Sequence, residues 1–240
     1  MNATTFTVAA FNAHWGVGRS GPERARRFDV AELIRGFDAD VLVVPEAFRF
    51  GDGSGVLDPL RDDGYEVRTT HFAQLAERVH RPGDVRPGGG WELAVCTRIP
   101  ASDWHELSVG RVFRDPAGVR NALACTLRVG DAHVTFVGLH ASSKLWYAGP
   151  VTHLRGLSRN LPRSEHAAVL AGDFNLWGPG VTRLLPGWKR AVLGRTYPAH
   201  RPHSQIDHIL VNDRIDVLHG EVLPECGSDH RPIRARLELR

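Results

Sequence analysis

TFTVAAF, at Thr5–Phe11, is an apolar run with the length of a β-strand, and DVLVV, at Asp40–Val44, is a second one. Between them, Pro22–Phe37 places apolar side chains at helical spacing. Two strands separated by a helical segment are typical of a βαβ unit, in which a crossover helix joins two parallel strands. This stretch therefore predicts a largely buried sheet with a crossover helix.

Further runs of strand character follow, and some are joined by tight turns, as at Val129–Ala132. A mixture of crossover and hairpin links predicts an α/β protein with mixed sheets and helices outside them. Arg81–Gly90 is rich in glycine and proline and predicts a surface loop, and we find no domain boundary within residues 1–240. The runs are Tyr65–Thr69, Leu93–Thr97, Asn121–Val129, Ala132–Leu139, Ala167–Ala171, Ile206–Val211, Asp216–Leu223 and Ile233–Leu239.

Length and composition exclude several classes of protein. The chain has 240 residues, 42% of them hydrophobic, which is enough to form a core and argues against disorder. No apolar run reaches the roughly 18 residues of a membrane span.

Cys96, Cys125 and Cys226 are widely spaced and odd in number, so we expect buried thiols in a reducing compartment. The N-terminus lacks a basic stretch before its apolar run, and we expect a cytoplasmic protein without a signal peptide.

Polar residues stand at the ends of the apolar runs. Carboxylates and amides are ligands for hard divalent ions such as Mg²⁺ or Mn²⁺, and imidazoles can move protons near neutral pH. Asp and Asn at strand ends are also common turn residues, so the alternative is a set scattered over the surface. Because strand ends in layered α/β folds open on a common edge, we expect one cleft. The residues are Asn12, Glu46, His140, Asp173, Asn175, Asp207, Asp229 and His230.

Six motifs in this chain resemble those of the endonuclease/exonuclease/phosphatase superfamily, and they occur in the family's order. The resemblance spans about Thr5 to Leu237 and implies a DNase I-like fold, a four-layer α/β sandwich of two facing mixed β-sheets with helices outside. The motifs are FNAHWG (Phe11–Gly16), VPEAF (Val44–Phe48), GLHASS (Gly138–Ser143), AGDFNLWG (Ala171–Gly178), SQIDHILV (Ser204–Val211) and GSDHRPI (Gly227–Ile233).

The resemblance implies a site for Mg²⁺ or Mn²⁺ in which Glu46 is the principal ligand, assisted by Asn12 and Asp229. It also implies that His230 is the general base or balances charge at the phosphate.

The remaining catalytic positions carry over in the same way. Asp207 would orient the ring of His230, while Asp173 would position or deprotonate the attacking water. Asn175 would hold a phosphate oxygen. His140 would donate to a phosphate oxygen or to the leaving group.

Substrate-binding residues are less clearly marked. Arg120 matches a position where relatives carry a group near the phosphate, although a solvated loop charge is an equal alternative. Trp15, Trp146 and Trp177 lie close to the motifs and are either stacking or packing residues. The resemblance implies that DNase I-like enzymes place an arginine near the principal glutamate to enter the minor groove. Here Ala47 and Phe48 follow Glu46, and Arg49 comes one place further, which disfavours groove binding.

The predicted function is a divalent-metal-dependent phosphoesterase, of the phosphodiesterase or nuclease kind, that uses activated water and a His–Asp dyad. Its partner would be a phosphate ester, with nucleic acid among the substrates considered. The alternatives are a phosphatase or diesterase for a small-molecule or lipid phosphate, and a non-catalytic binding protein on the same fold.

Overall fold

The computed structural model describes residues 4–16, 28–76, 78–81, 84–86, 88–161 and 166–240. Within these residues the α-helices are α1 (Val30–Arg35), α2 (Ala148–Asn160) and α3 (Gly178–Leu184). The strands are β1 (Thr5–Ala10), β2 (Val41–Phe50), β3 (Glu66–Leu75), β4 (Arg78–Arg81), β5 (Asp84–Arg86), β6 (Gly89–Thr97), β7 (Ala101–Arg111), β8 (Val119–Val129), β9 (Ala132–His140), β10 (Ala167–Asp173), β11 (Lys189–Arg190), β12 (Asp207–Val211), β13 (Ile215–Val222) and β14 (Ile233–Leu239).

Two six-stranded mixed sheets form the body of the protein. The first sheet has the order β13-β14-β1-β2-β6-β3, and the second has the order β11-β12-β10-β9-β8-β7. Each contains one parallel pair, β1–β2 or β9–β10, flanked by antiparallel pairs. The expectation of two facing mixed sheets with helices outside is confirmed.

Side chains alternate between two cores along each central strand, because successive residues of a strand point to opposite faces. On β1, Val8 and Ala10 pack into the core between the sheets, whereas Ala9 and the following residue, Phe11, pack beneath α1. A third core lies between the second sheet and helices α2 and α3. The four layers are therefore helix, sheet, sheet and helix.

The first βαβ unit was predicted correctly, since β1 and β2 are parallel and α1 lies between them in the chain. Its helix covers only Val30–Arg35 of the predicted Pro22–Phe37, and residues 22–27 lie outside the described part of the chain. Asp29 caps this helix by accepting a hydrogen bond from the backbone N–H of Glu32 at 2.9 Å.

Two sequence interpretations were incomplete. The predicted loop Arg81–Gly90 contains strand β5, which pairs with β4, and the first residues of β6, while residues 82, 83 and 87 are not described. Strand β7 was missed because it is an edge strand with mostly exposed side chains and no apolar run. No helix among the described residues combines the length and apolar character needed to cross a membrane.

Candidate active site

Most of the predicted site residues lie around one cavity of about 810 Å³ at a common edge of the two sheets. Asn12 and Asp207 stand behind its wall and are hydrogen-bonded to residues that line it. The predicted residues that line the cavity are Glu46, Arg120, His140, Asp173, Asn175, Asp229 and His230.

Sheet register places three of these side chains in one row across the second sheet. His140 and Asp173 are the last residues of the parallel strands β9 and β10, and they are register partners. Asp207 begins the antiparallel strand β12 and is the partner of Asp173 on its other side. The row arises because parallel strands end at the same sheet edge at which an antiparallel neighbour begins.

The first sheet supplies the opposite wall. Asn12 follows β1, and Asp229 and His230 precede β14, the antiparallel neighbour of β1. Glu46 lies in β2 where the pairing with β6 is interrupted between Val44 and Ala47. Its backbone is left-handed (φ 55°), a conformation that is costly for a residue with a side chain and is often retained at functional sites.

The carboxylate of Asp173 is the centre of the polar cluster. Its Oδ2 accepts hydrogen bonds from Nδ2 of Asn12 and Nδ2 of Asn175, each at 3.1 Å. The same oxygen lies 3.6 Å from Nε2 of His140 and 4.0 Å from Nε2 of His230. Burial raises the pKa of Asp173 above its usual value, and Asp207 raises it further, while the His230 charge opposes both effects.

His230 forms a buried pair with Asp207. Its Nδ1 lies 2.9 and 3.1 Å from the two oxygens of that carboxylate. Burial alone would lower the pKa of His230, but the charges of Asp207 and Asp173 and the hydrogen bond to Asp207 raise it to about 10. The ring of Tyr197 also covers this imidazole, with centroids 4.9 Å apart.

His140 has a different environment. Its ring packs against the rings of Phe72 and Trp91, and its Nδ1 is buried without a hydrogen-bond partner among the described residues. Burial, followed by the positive charge of Arg120, places the pKa of His140 well below its usual value. This imidazole is therefore neutral at pH 7.

Arg120 is buried and paired, so its interpretation as a solvated loop charge is wrong. Its Nε and Nη2 donate to the two oxygens of Asp115 at 2.8 and 3.2 Å, and its Nη1 donates to the carbonyl of His140 at 3.1 Å. The guanidinium lies over the rings of Trp91 and Phe72. Arg120 thus binds the backbone that carries His140.

Oxygen donors in the cavity fit a hard divalent ion. Oδ1 of Asp229 is buried and has no hydrogen-bond partner among the described residues, and Glu46 lines the same cavity. Nδ2 of Asn12 lies 3.5 Å from Oε1 of Glu46. A second set of candidate ligand atoms, one each from Asp173, Asp207 and His230, lies within 4.8 Å of one another, a spacing compatible with a metal. In this set, however, the carboxylate of Asp207 is already hydrogen-bonded to His230.

Sequence reasoning missed three residues around the cavity. His14 lines it, with Nε2 4.0 Å from Oδ2 of Asp229, and lies inside the FNAHWG motif. Tyr197 and Asp115 lie in loops and follow no apolar run, so the pattern of polar strand ends could not indicate them. His208 points away from the site, and its Nε2 lies 3.0 Å from the carbonyl of Leu176.

Solved structures with the same fold cover almost all of this chain. An endonuclease/exonuclease/phosphatase from Beutenbergia cavernae is 22% identical (TM-score 0.73), with 98% of this chain and 72% of the other covered. A mannosyl-6-phosphatase from Bacteroides thetaiotaomicron is 15% identical (TM-score 0.64; 97% and 99% covered). D. rerio TDP2 complexed with single-strand DNA product is 13% identical (TM-score 0.66; 98% and 99% covered).

A search of curated proteins gave no match. The model of the Endonuclease/Exonuclease/phosphatase family matches residues 9–230, which include every predicted site residue. The chain therefore belongs to the endonuclease/exonuclease/phosphatase family and has its DNase I-like fold.

Proposed function

We propose that the protein is a divalent-metal-dependent phosphodiesterase that cleaves its substrate by attack of water on phosphorus. The observation that carries this proposal is the convergence of two imidazoles and two amides on Oδ2 of Asp173, beside the carboxylates of Glu46 and Asp229. A phosphodiester is an anion that repels hydroxide, so a site that hydrolyses it must place positive charge and hydrogen-bond donors around the phosphate.

Glu46 and Asp229 would hold the Mg²⁺ or Mn²⁺ ion, and Asn12 would fix the carboxylate of Glu46. When bound, such an ion neutralises phosphate charge and polarises the P–O bonds. The buried Oδ1 of Asp229 supports this assignment, because a carboxylate oxygen without a partner is costly to bury.

His230 and Asp173 would divide the charge and proton chemistry between them. His230, with its raised pKa, is cationic at neutral pH and would balance the charge that develops on the phosphate. Asp173, whose pKa is raised by burial, is better suited to accept the proton of the attacking water. Asn175 donates its two amide hydrogens to Asp173 and to the carbonyl of Ala141, and would exchange one of these bonds for a phosphate oxygen when the substrate binds.

His140 would act as a neutral donor. Its Nε2 points toward Asp173, and a proton on that atom would form a hydrogen bond to a phosphate oxygen. Arg120 would serve as a positioning residue rather than as a phosphate ligand, since three of its hydrogen bonds go to Asp115 and to the carbonyl of His140.

A phosphate monoesterase is the second candidate. A mannosyl-6-phosphatase has the same fold, and so does a protein whose structure holds a single-strand DNA product. We favour the diesterase because the cavity of about 810 Å³ is much larger than a phosphate group, which leaves room for substituents on both sides.

The test uses methyl p-nitrophenyl phosphate, a diester, and p-nitrophenyl phosphate, a monoester, with Mg²⁺, Mn²⁺ or EDTA. We expect faster release of p-nitrophenol from the diester and no release in EDTA. Glu46→Gln should raise the metal concentration required by about 10- to 100-fold. The exposed Glu225→Gln is the matched control and should change it less than about twofold. Activity in EDTA would overturn the metal dependence, and faster hydrolysis of the monoester would identify a phosphatase.

A further inference from the structure

An exposed apolar loop stands directly beside the catalytic cavity. The loop comprises Ser143–Tyr147, between β9 and α2, and all five of its residues are exposed. Its large apolar residues are Leu145, Trp146 and Tyr147, of which Trp146 is 87% exposed. Exposed apolar residues that adjoin one another commonly mark binding surfaces.

The loop has a fixed shape. Leu145 and Trp146 are both left-handed (φ 57° and 53°), a backbone conformation that side chains disfavour. The N–H of Lys144 donates to Oγ of Ser142 at 3.2 Å, and the N–H of Ala148 donates to the carbonyl of Leu145 at 3.0 Å. A Cβ at Gly149 would clash with the carbonyl oxygen of Lys144, so helix α2 packs closely against the loop. The backbone that carries the indole is consequently ordered before any ligand binds.

The loop forms part of the wall of the catalytic cavity. Lys144, Leu145 and Trp146 line it together with His140, Asp173 and His230. A substrate whose phosphate lies among the catalytic groups can therefore extend to the indole. The lysine adds a positive charge to this wall, whereas the carboxylates of the cavity lie on the catalytic side.

We propose that Trp146 and Lys144 form a subsite for a nucleotide substituent of the substrate, with the base stacked on the indole and a neighbouring phosphate paired with Lys144. This inference rests on the proposed phosphodiesterase function and specifies its substrate class as single-stranded nucleic acid or a nucleotide diester. Aromatic side chains stack on all four bases, and an adjacent cation binds the backbone, as in proteins that bind single strands without sequence preference.

The chemistry of the loop favours a base over a sugar or a lipid. Binding of a sugar relies on side-chain amides and carboxylates that bind hydroxyl groups. The cavity-lining residues of this loop offer neither, since their polar groups are the hydroxyl of Ser143, the ammonium of Lys144 and the indole N–H of Trp146. A membrane-inserting loop would direct its largest apolar side chain away from the active site, whereas Trp146 lines the cavity.

The test compares two diesters with the same leaving group, thymidine 5′-(p-nitrophenyl) phosphate and methyl p-nitrophenyl phosphate. Trp146→Ala should lower kcat/KM for the thymidine ester about tenfold or more and leave the methyl ester within about twofold. Trp146→Phe should retain most of the activity on the thymidine ester, because stacking needs only an aromatic face. Trp177→Ala is the matched control, since Trp177 is also exposed but does not line the cavity.

Each other outcome counts against a defined claim. Equal effects of Trp146→Ala on the two esters, or no effect on either, would overturn the subsite and leave the proposed function intact. Loss of binding to phosphatidylcholine vesicles on Trp146→Ala, with unchanged kinetics on both esters, would identify a lipid contact and overturn the nucleotide subsite. Failure of the wild-type protein to hydrolyse either ester with Mg²⁺ or Mn²⁺ would overturn the proposed function and the subsite together.

Discussion

The two histidines of the candidate site approach the same carboxylate oxygen but differ in charge. His230 and His140 direct their Nε2 atoms to Oδ2 of Asp173, at 4.0 and 3.6 Å. Behind His230, Nδ1 meets the carboxylate of Asp207, and the pKa of His230 rises to about 10 because that charge outweighs the effect of burial. Behind His140, Nδ1 meets no partner in the described part of the chain, and burial keeps its pKa well below the usual value.

This difference shows that the partner of the distal ring nitrogen determines what each imidazole can do. A histidine held by a carboxylate is a cation that can balance phosphate charge, whereas one packed against the rings of Phe72 and Trp91 is a neutral donor. One phosphate would then meet both kinds of group at once.

The largest expected effect on kcat comes from removing the charged histidine, His230. His230→Ala should lower kcat for methyl p-nitrophenyl phosphate by about 10³-fold, and His140→Ala by about 10²-fold, because charge-assisted hydrogen bonds are stronger than neutral ones. Steady-state kinetics in Mn²⁺ measures both. Equal losses would show that the two imidazoles contribute alike and that the contrast in charge has no consequence for the reaction.

An intermediate effect is expected from a change at Arg120, which binds the backbone of the neutral histidine, His140. Arg120→Lys cannot keep both hydrogen bonds to Asp115 while donating to the carbonyl of His140, so kcat should fall about tenfold with little change in KM. Arg49→Lys is the control, since Arg49 also pairs with a carboxylate but does not line the cavity. Its Nε lies 3.4 Å from Oε1 of Glu92. A rise in KM at unchanged kcat would instead make Arg120 a substrate ligand.

The smallest effect concerns stability against acid and two further buried histidines. Burial lowers the pKa of His153 and of His208 to about 4 each. A histidine whose pKa is lower in the folded than in the unfolded protein contributes stability above about pH 6.5. This contribution to the free energy of unfolding, about 3 kcal/mol per histidine, is lost as the pH falls toward 4. The contribution of His230 has the opposite sign, because its raised pKa stabilises the fold below about pH 6.5 and is lost as the pH rises through 10.

Urea unfolding at pH 7 and pH 5 measures the acid effect. His208→Gln should reduce the difference in the free energy of unfolding between the two pH values, because glutamine does not titrate and can still donate to the carbonyl of Leu176. An unchanged difference would exclude His208 as a source of the acid sensitivity.

The sequence predicted the parts of the molecule in which local pattern and tertiary structure agree. The apolar runs that became β1, β2, β9 and β10 are buried on both faces, so their composition alone reveals them. The polar residues that end these runs converge because parallel strands end at a common edge. Strand β7 has no such signature, since most of its side chains face solvent at the edge of the second sheet.

The charge of each site residue could not be predicted from the sequence. In the sequence, Arg120 precedes the predicted strand Asn121–Val129 and is compatible with a solvated charge. In the structure, Asp115, five residues earlier, binds it inside the protein. Likewise, the local sequence around His140 and His230 does not indicate which one faces a carboxylate. Only the family resemblance paired Asp207 with His230, and the contact forms through the packing of the two sheets.

The central claim is that Asp207 and His230 act as one catalytic unit, and a double-mutant cycle tests it most directly. Asp207→Asn, His230→Ala and the double variant are compared with the wild-type protein by kcat on methyl p-nitrophenyl phosphate in Mn²⁺. Groups that act together lose most of the rate on the first substitution, so the double variant should be no more than about threefold slower than His230→Ala. A double variant whose loss equals the product of the two single losses would show that the residues act separately and would contradict the account.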